Sequence, residues 1–321
     1  LSDLTPALHL WGTVVYRTFS PVQAGLALLL GLPLMQFQNK TSILVVISTS
    51  ENYYFSPIND VDFLMCEMLG MSANTPTDIC FSFSGLMVRG GQTAEHKDGF
   101  GITFYEDNGC RTFKDAQPSS TSSIAKLIAN YPIKSCCVVS HIRQANRGRI
   151  AIENTHPFTR ELWGTEWTFA HNGQLKGIKK HPTAHFNPVG TTDSEHAFCW
   201  ILSSIKTRFP KRPKQAKTVF RYIATLAKTL NAMGIANFLI SDGKYLLSHC
   251  SNNLHWITRK APFGVAHLND VSLNIDFKQV TTEHDIVSII ATRPLTSNEK
   301  WHKMTPGELQ LFHLGQPEQL G

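Results

Sequence analysis

Residues 234–249, Gly-Ile-Ala-Asn-Phe-Leu-Ile-Ser-Asp-Gly-Lys-Tyr-Leu-Leu-Ser-His, carry the reading that decides the fold. Two runs of strand length, 235–241 and 244–249, flank Asp242-Gly243, and Asp-Gly between apolar runs marks a tight hairpin. Upstream, Val219, Phe220, Ile223, Leu226, Ala227 and Leu230 line one face of a helix that Gly234 stops. Ala197, Phe198, Ile201, Leu202 and Ile205 form an earlier stripe, opened by Thr192 with Glu195 three residues on, a capping box. Further out, 101–106 and 110–114 flank Asp107-Asn108-Gly109, a second hairpin signal. Residues 122–130 read as a short helix. The apolar run 135–142 has strand length and sends Cys136 and Cys137 to opposite faces, and 286–292 reads as a buried strand. Helices do not alternate with strands as in a doubly wound fold. The pattern predicts an α+β protein of stacked antiparallel sheets with helices outside.

Composition narrows the class. The chain has 321 residues, 42% hydrophobic and 17% charged, which suits one large domain plus an extension and excludes wholesale disorder. A net charge of +6 permits anionic ligands but falls short of an RNA-coating protein. The basic run Lys206, Arg208, Lys211, Arg212, Lys214 and Lys217, broken by Pro210 and Pro213, reads as a solvated loop between helices. No nucleic-acid partner is expected. Seven cysteines, with no C-x-x-C pair, favour a reducing, cytoplasmic setting. The His and Cys residues lack metal-ligand spacing, and no nucleotide fingerprint calls for a cofactor.

Residues 1–65 differ from the rest. They carry two basic and four acidic residues, a net of −2, against +8 for the remaining 256. Their apolar run at 24–35 is too short for a membrane span, which takes ~20 residues, and it lacks the flanks of a secretory signal. No membrane association is expected. A propeptide, a leader, or upstream sequence wrongly joined to the gene all fit; the last is preferred.

Four segments are polar where their surroundings look strand-like: Met65-Cys66-Glu67, Ser140-His141-Ile142-Arg143, Ala170-His171-Asn172-Gly173 and Thr191-Thr192-Asp193-Ser194-Glu195. Singly, each has a plain structural explanation: a buried thiol, a surface arginine, a turn, a helix start. Their order changes that. Together with Arg89-Gly90-Gly91, Lys97-Asp98-Gly99-Phe100-Gly101 and Asn154-Thr155-His156-Pro157-Phe158, they make residues 65–321 resemble the class II glutamine amidotransferases, compact bacterial type, within the N-terminal-nucleophile hydrolases.

The resemblance implies a four-layer α/β/β/α sandwich over residues 66–321, with 1–65 an upstream extension absent from the mature protein. It implies that Cys66 is the nucleophile and that its free α-amine, once it is the first residue, is the base. Asn172 and the Gly173 N–H would form an oxyanion hole. Arg143 would hold the glutamine α-carboxylate and Asp193 the α-ammonium, with His156 in the pocket wall. Composition, apart from the resemblance, makes the loop 144–153, including Asn146-Arg147-Gly148, a candidate flap that would exclude water from the thioester. Here Cys66 is internal, and an amide nitrogen cannot serve as base; removal of Met65 from a chain starting there would expose it. The expected activity is glutamine-amide hydrolysis through a γ-glutamyl thioester, giving glutamate and ammonia; either a separate ammonia-accepting synthase subunit is a partner or no transfer occurs. Two alternatives are a γ-glutamyl amidase acting on another γ-glutamyl compound and, if the extension stays, a non-catalytic binding module.

Overall fold

The computed structural model describes residues 66–145 and 148–320, and the backbone of three strands within 1–64. The chain divides into two compact units, 1–64 and 65–321. In the first, β1 (Val14–Val15), β2 (Ile43–Ser48) and β3 (Tyr53–Ile58) form an antiparallel sheet in the order β1-β2-β3. The apolar run 24–35 lies outside the described residues.

The second unit runs β4 (Glu67–Thr77), α1 (Cys80–Arg89), β5 (Phe100–Glu106), β6 (Gly109–Asp115), α2 (Ser123–Asn130), β7 (Ser135–Ile142), β8 (Phe158–Leu162) and β9 (Thr165–Leu175). It continues with α3 (Asp193–Arg208), α4 (Ala216–Met233), β10 (Gly234–Ser241), β11 (Tyr245–His249), β12 (His255–Lys260), β13 (Val265–His267) and β14 (Asn274–Asp276). It ends with β15 (Ile286–Ala291), β16 (His302–Lys303), β17 (Leu309–His313) and β18 (Gln316–Glu318). Two antiparallel sheets dominate, β16-β12-β15-β4-β7-β5-β6 and β18-β17-β11-β10-β9-β8.

Strand alternation builds the layers. On β4, Met68 faces the other sheet whereas Leu69 and Met71 pack outward with α1 and α2. On β10, Leu239 points between the sheets whereas Phe238 and Ile240 pack outward under α3 and α4. Met68, Val139, Ala170, Leu239, Leu246 and Ile290 thus fill the space between sheets. The result is the expected four-layer α/β/β/α sandwich. Phe198 of α3 stacks on Phe169 of β9, ring centroids 5.3 Å apart and almost parallel. Gly70 keeps the sheets close, since a Cβ there would stand 3.0 Å from Leu239 Cδ1.

Both predicted hairpins form. At 242–245 the Asp242 carboxylate accepts the Lys244 and Tyr245 N–H groups, and Gly243 takes φ +85°. In the other, Gly109 pairs with Glu106, so the turn is Asp107-Asn108 and the glycine belongs to the strand. Asp107, at φ 54°, takes the left-handed conformation in that turn. The basic loop joins α3 to α4, and its Arg212 reaches the buried Asp242 at 2.5 Å.

Candidate active site

The site grows from the ends of two central strands, one from each sheet. β4 lies between β15 and β7, and Cys66 immediately precedes it. Its start is held firmly. The Met68 N–H donates to Thr292 Oγ1 at 2.9 Å, and the Met68 carbonyl accepts the Thr292 N–H at 3.2 Å. The buried Glu67 carboxylate pairs with Arg89 at 3.2 Å and Arg293 at 2.5 Å, and Arg89 also pairs with Asp270 at 2.8 Å. A buried carboxylate needs such partners.

Cys66 is half-buried, and its Sγ accepts the Gln144 N–H at 3.2 Å. Burial pushes the thiol up to about 11, against the lowering pull of that N–H and of the Arg143 charge. From the other sheet, Asn172 of β9 donates through Nδ2 to the Cys66 carbonyl. Its buried Oδ1 has no hydrogen-bond partner among the described residues. Gly173 follows at φ +154°, where a Cβ would lie 1.9 Å from the Ile235 carbonyl oxygen. Only glycine fits between β9 and β10 there.

Arg143 leaves β7 buried, with Nη1 3.4 Å from the Arg149 carbonyl and 3.5 Å from that of Asp98. The Lys97-Asp98-Gly99 motif pins this turn: Arg143 N–H donates to Gly99, Asp98 N–H to Arg143, and Ala145 N–H to the Asp98 carboxylate at 2.6 Å. Asn146 and Arg147 of the expected flap lie outside the described residues.

Asp193, half-buried at the start of α3, accepts the Leu175 N–H at 2.7 Å and the Ser194 N–H at 3.0 Å. This ties it to the strand that bears Asn172. Thr192 caps the helix as predicted, accepting the Glu195 N–H. Glu195 departs from the capping-box expectation: its buried carboxylate takes the Val189 and Gly190 N–H groups and pairs with Arg160 at 2.6 Å. It organises the loop before the helix instead of closing the box.

Three histidines lie behind these groups. The His156 ring stands 4.1 Å from that of His141 and 4.4 Å from that of Phe158. Neither of its nitrogens has a hydrogen-bond partner among the described residues. Burial lowers His141 to about 3 and holds His156 well below its usual range and His171 below it, so all three are neutral at pH 7. His171 Nε2 donates to the Ile235 carbonyl at 3.1 Å, which leaves Nδ1 to accept the Ser194 hydroxyl at 2.8 Å. A neutral His171 thereby links β9 to the start of α3.

The structure brings Cys66 into direct contact with Asn172 and sets Arg143 beside them through Gln144. Asp193 and His156 join through neighbours: Asp193 through Leu175 and Ser194, His156 through His141, whose Nε2 donates to the His171 carbonyl at 3.1 Å. Two supporting residues escaped the sequence reading. Gln144 gives its N–H to the thiol. Asn237, fully buried on β10 opposite Asn172, donates to the Asn172 carbonyl at 3.2 Å and accepts the Ser251 and Asn252 N–H groups. Its one signal was an amide inside an otherwise apolar strand.

The family Glutamine amidotransferases class-II matches residues 65–321. Relatives bearing glutamine amidotransferase names include YafJ of Escherichia coli (strain K12), 64% identical over 252 residues, 78% of this chain and 99% of that protein. Another, from Haemophilus influenzae, is 48% identical and covers 79% of this chain and 86% of its own. A Pseudomonas aeruginosa PA01 structure described as a predicted glutamine amidotransferase superimposes with TM-score 0.63 and 42% identity, over 78% of this chain and 99% of that one. The glutamine phosphoribosylpyrophosphate amidotransferase of B. subtilis shares the fold, at TM-score 0.52 and 15% identity, over 80% of this chain and 49% of that one. The chain belongs to the class II glutamine amidotransferases.

Proposed function

We propose that residues 66–321 are a glutaminase that opens the side-chain amide of glutamine through a γ-glutamyl thioester on Cys66, releasing ammonia and then glutamate. One observation carries this reading: Cys66 has its sulfur against the Gln144 N–H and its carbonyl against the Asn172 amide, where two sheets converge.

The active species begins at Cys66. Burial alone leaves its thiol protonated at neutral pH. A free α-ammonium beside it lowers the thiol pKa, and the amine, titrating at about 7.7–8.0, takes the thiol proton near neutrality. The thiolate attacks the amide carbon. The developing oxyanion is met by Asn172 Nδ2, once it turns from the Cys66 carbonyl, and by the Gly173 N–H. The α-ammonium returns the proton to the departing nitrogen, and ammonia leaves. Water then attacks the thioester, the amine accepts its proton, and glutamate departs as the thiol reforms.

Arg143 and Asp193 hold the α-carboxylate and α-ammonium, parts that do not react. His156, neutral, contributes ring nitrogens to the pocket wall. A separate synthase subunit takes the ammonia, in a reducing cytoplasmic setting where the seven cysteines remain free thiols.

The test is ammonia release from glutamine by a chain starting at Cys66, by its Cys66→Ala variant, and by the full 321 residues. Activity is expected in the first alone. Equal turnover by Cys66→Ala would refute the assignment, and turnover only of larger γ-glutamyl compounds would move the protein to the amidases.

A further inference from the structure

The two charged ends of glutamine are assigned above to residues on different elements, Arg143 after β7 and Asp193 at the start of α3. One side chain bridges the segments that carry them. Asn154, only 1% exposed, donates from Nδ2 to the Arg149 carbonyl at 3.0 Å. That same carbonyl accepts from Arg143 Nη1 at 3.4 Å. On its other side, Asn154 Oδ1 accepts the Thr191 N–H at 2.8 Å and lies 3.4 Å from Thr191 Oγ1, two residues before Asp193.

A planar carboxamide with both ends engaged fixes the distance between its two partners. Gly190 lets the segments approach closely enough: a Cβ there would stand 2.4 Å from Asn154 Oδ1 and 2.5 Å from the Glu153 carbonyl oxygen. We infer that Asn154 is a positioning residue. It sets the spacing between Arg143 and Asp193, so that the site grips an α-carboxylate and an α-ammonium on the same carbon together. The inference rests on the glutaminase reading and gives Asn154 a role in binding, with none in bond-making.

Thr191 and Arg149 are both exposed residues, so Asn154→Ala leaves its two backbone partners near the surface, where water can take up their hydrogen bonds, and that variant is expected to fold. The experiment compares ammonia release from glutamine and from 4-carbamoylbutanoate, which keeps the carboxylate and lacks the α-ammonium. It uses the chain starting at Cys66, its Asn154→Ala variant and its Gly190→Ala variant. Asn154→Ala should raise KM for glutamine about tenfold with kcat within about twofold, the signature of lost ground-state binding. The preference for glutamine over 4-carbamoylbutanoate should shrink by a similar factor, because the truncated substrate uses only the Arg143 end. Gly190→Ala, whose Cβ would press on Asn154 Oδ1 and the Glu153 carbonyl and so force the same segments apart while leaving the Asn154 carboxamide in place, should move both quantities the same way.

A KM unchanged in both variants overturns the inference, as does an equal loss on both substrates, which a merely structural role would produce. A parent enzyme that releases no ammonia from glutamine overturns the glutaminase reading itself, and this inference falls with it.

Discussion

In the proposed mechanism Asn172 and Arg143 serve opposite purposes, and substitution separates them. There Arg143 would hold a group whose charge is the same in the ground and transition states, whereas Asn172 would meet charge that exists only in the transition state. Asn172→Ala should therefore lower kcat by about 10²–10³ with little change in KM. Arg143→Lys keeps the charge, loses the bidentate fork, and should act mainly on KM. Steady-state kinetics on glutamine decides; an Asn172→Ala enzyme with normal kcat and raised KM would move the oxyanion role elsewhere. At this scale the sequence is readable where a polar side chain interrupts or ends an apolar run, as Asn172 does within β9 and Arg143 after β7. Gln144 was not, because it acts through its backbone N–H, which every residue but proline shares. Asn154 was visible within its motif but roleless, since its task depends on two loops that only folding brings together.

Elements were legible where local chemistry and packing agree. The stripes of α3 and α4 are buried as the 3.6 period requires, and Asp242-Gly243 makes its turn. α1 escaped notice for physical reasons. Its N-cap, Ile79, offers no side-chain acceptor, and its ten residues include aromatics, serines and Gly85, all indifferent helix formers. Packing makes it helical: Gly85 sits under Leu268, where a Cβ would stand 2.9 Å from Leu268 Cδ2. The contact between α3 and β9 carries its own prediction. Phe198→Ala removes a fully buried ring stacked on Phe169 and should cost about 3–5 kcal/mol, measured by denaturant unfolding. A cost under about 1 kcal/mol would mean that the outer helical layer does not depend on this ring.

For the molecule as a whole, the buried histidines set the acid limit of stability. His141 titrates at about 3 when folded against an ordinary 6.5, and burial displaces His156 and His171 in the same direction. Between those values the unfolded chain binds more protons than the folded one. For His141, stability is therefore complete above about pH 6.5 and is lost as pH falls toward 3, and burial of His156 and His171 acts in the same direction. Thermal unfolding from pH 7 to 4 should show this decline. His156→Phe, which keeps a ring between His141 and Phe158, should make it shallower; identical slopes would assign the acid sensitivity to other groups. The central claim concerns the residue in front of these histidines, where the strand between β15 and β7 must start with a free amine at Cys66. Intact-mass analysis and peptide mapping after reaction with 6-diazo-5-oxo-L-norleucine test it most directly. The account predicts one adduct, on the sulfur of a chain whose first residue is Cys66, with activity lost in proportion. A fully active chain that retains residues 1–65, or an adduct on Cys136 or Cys250, would contradict it.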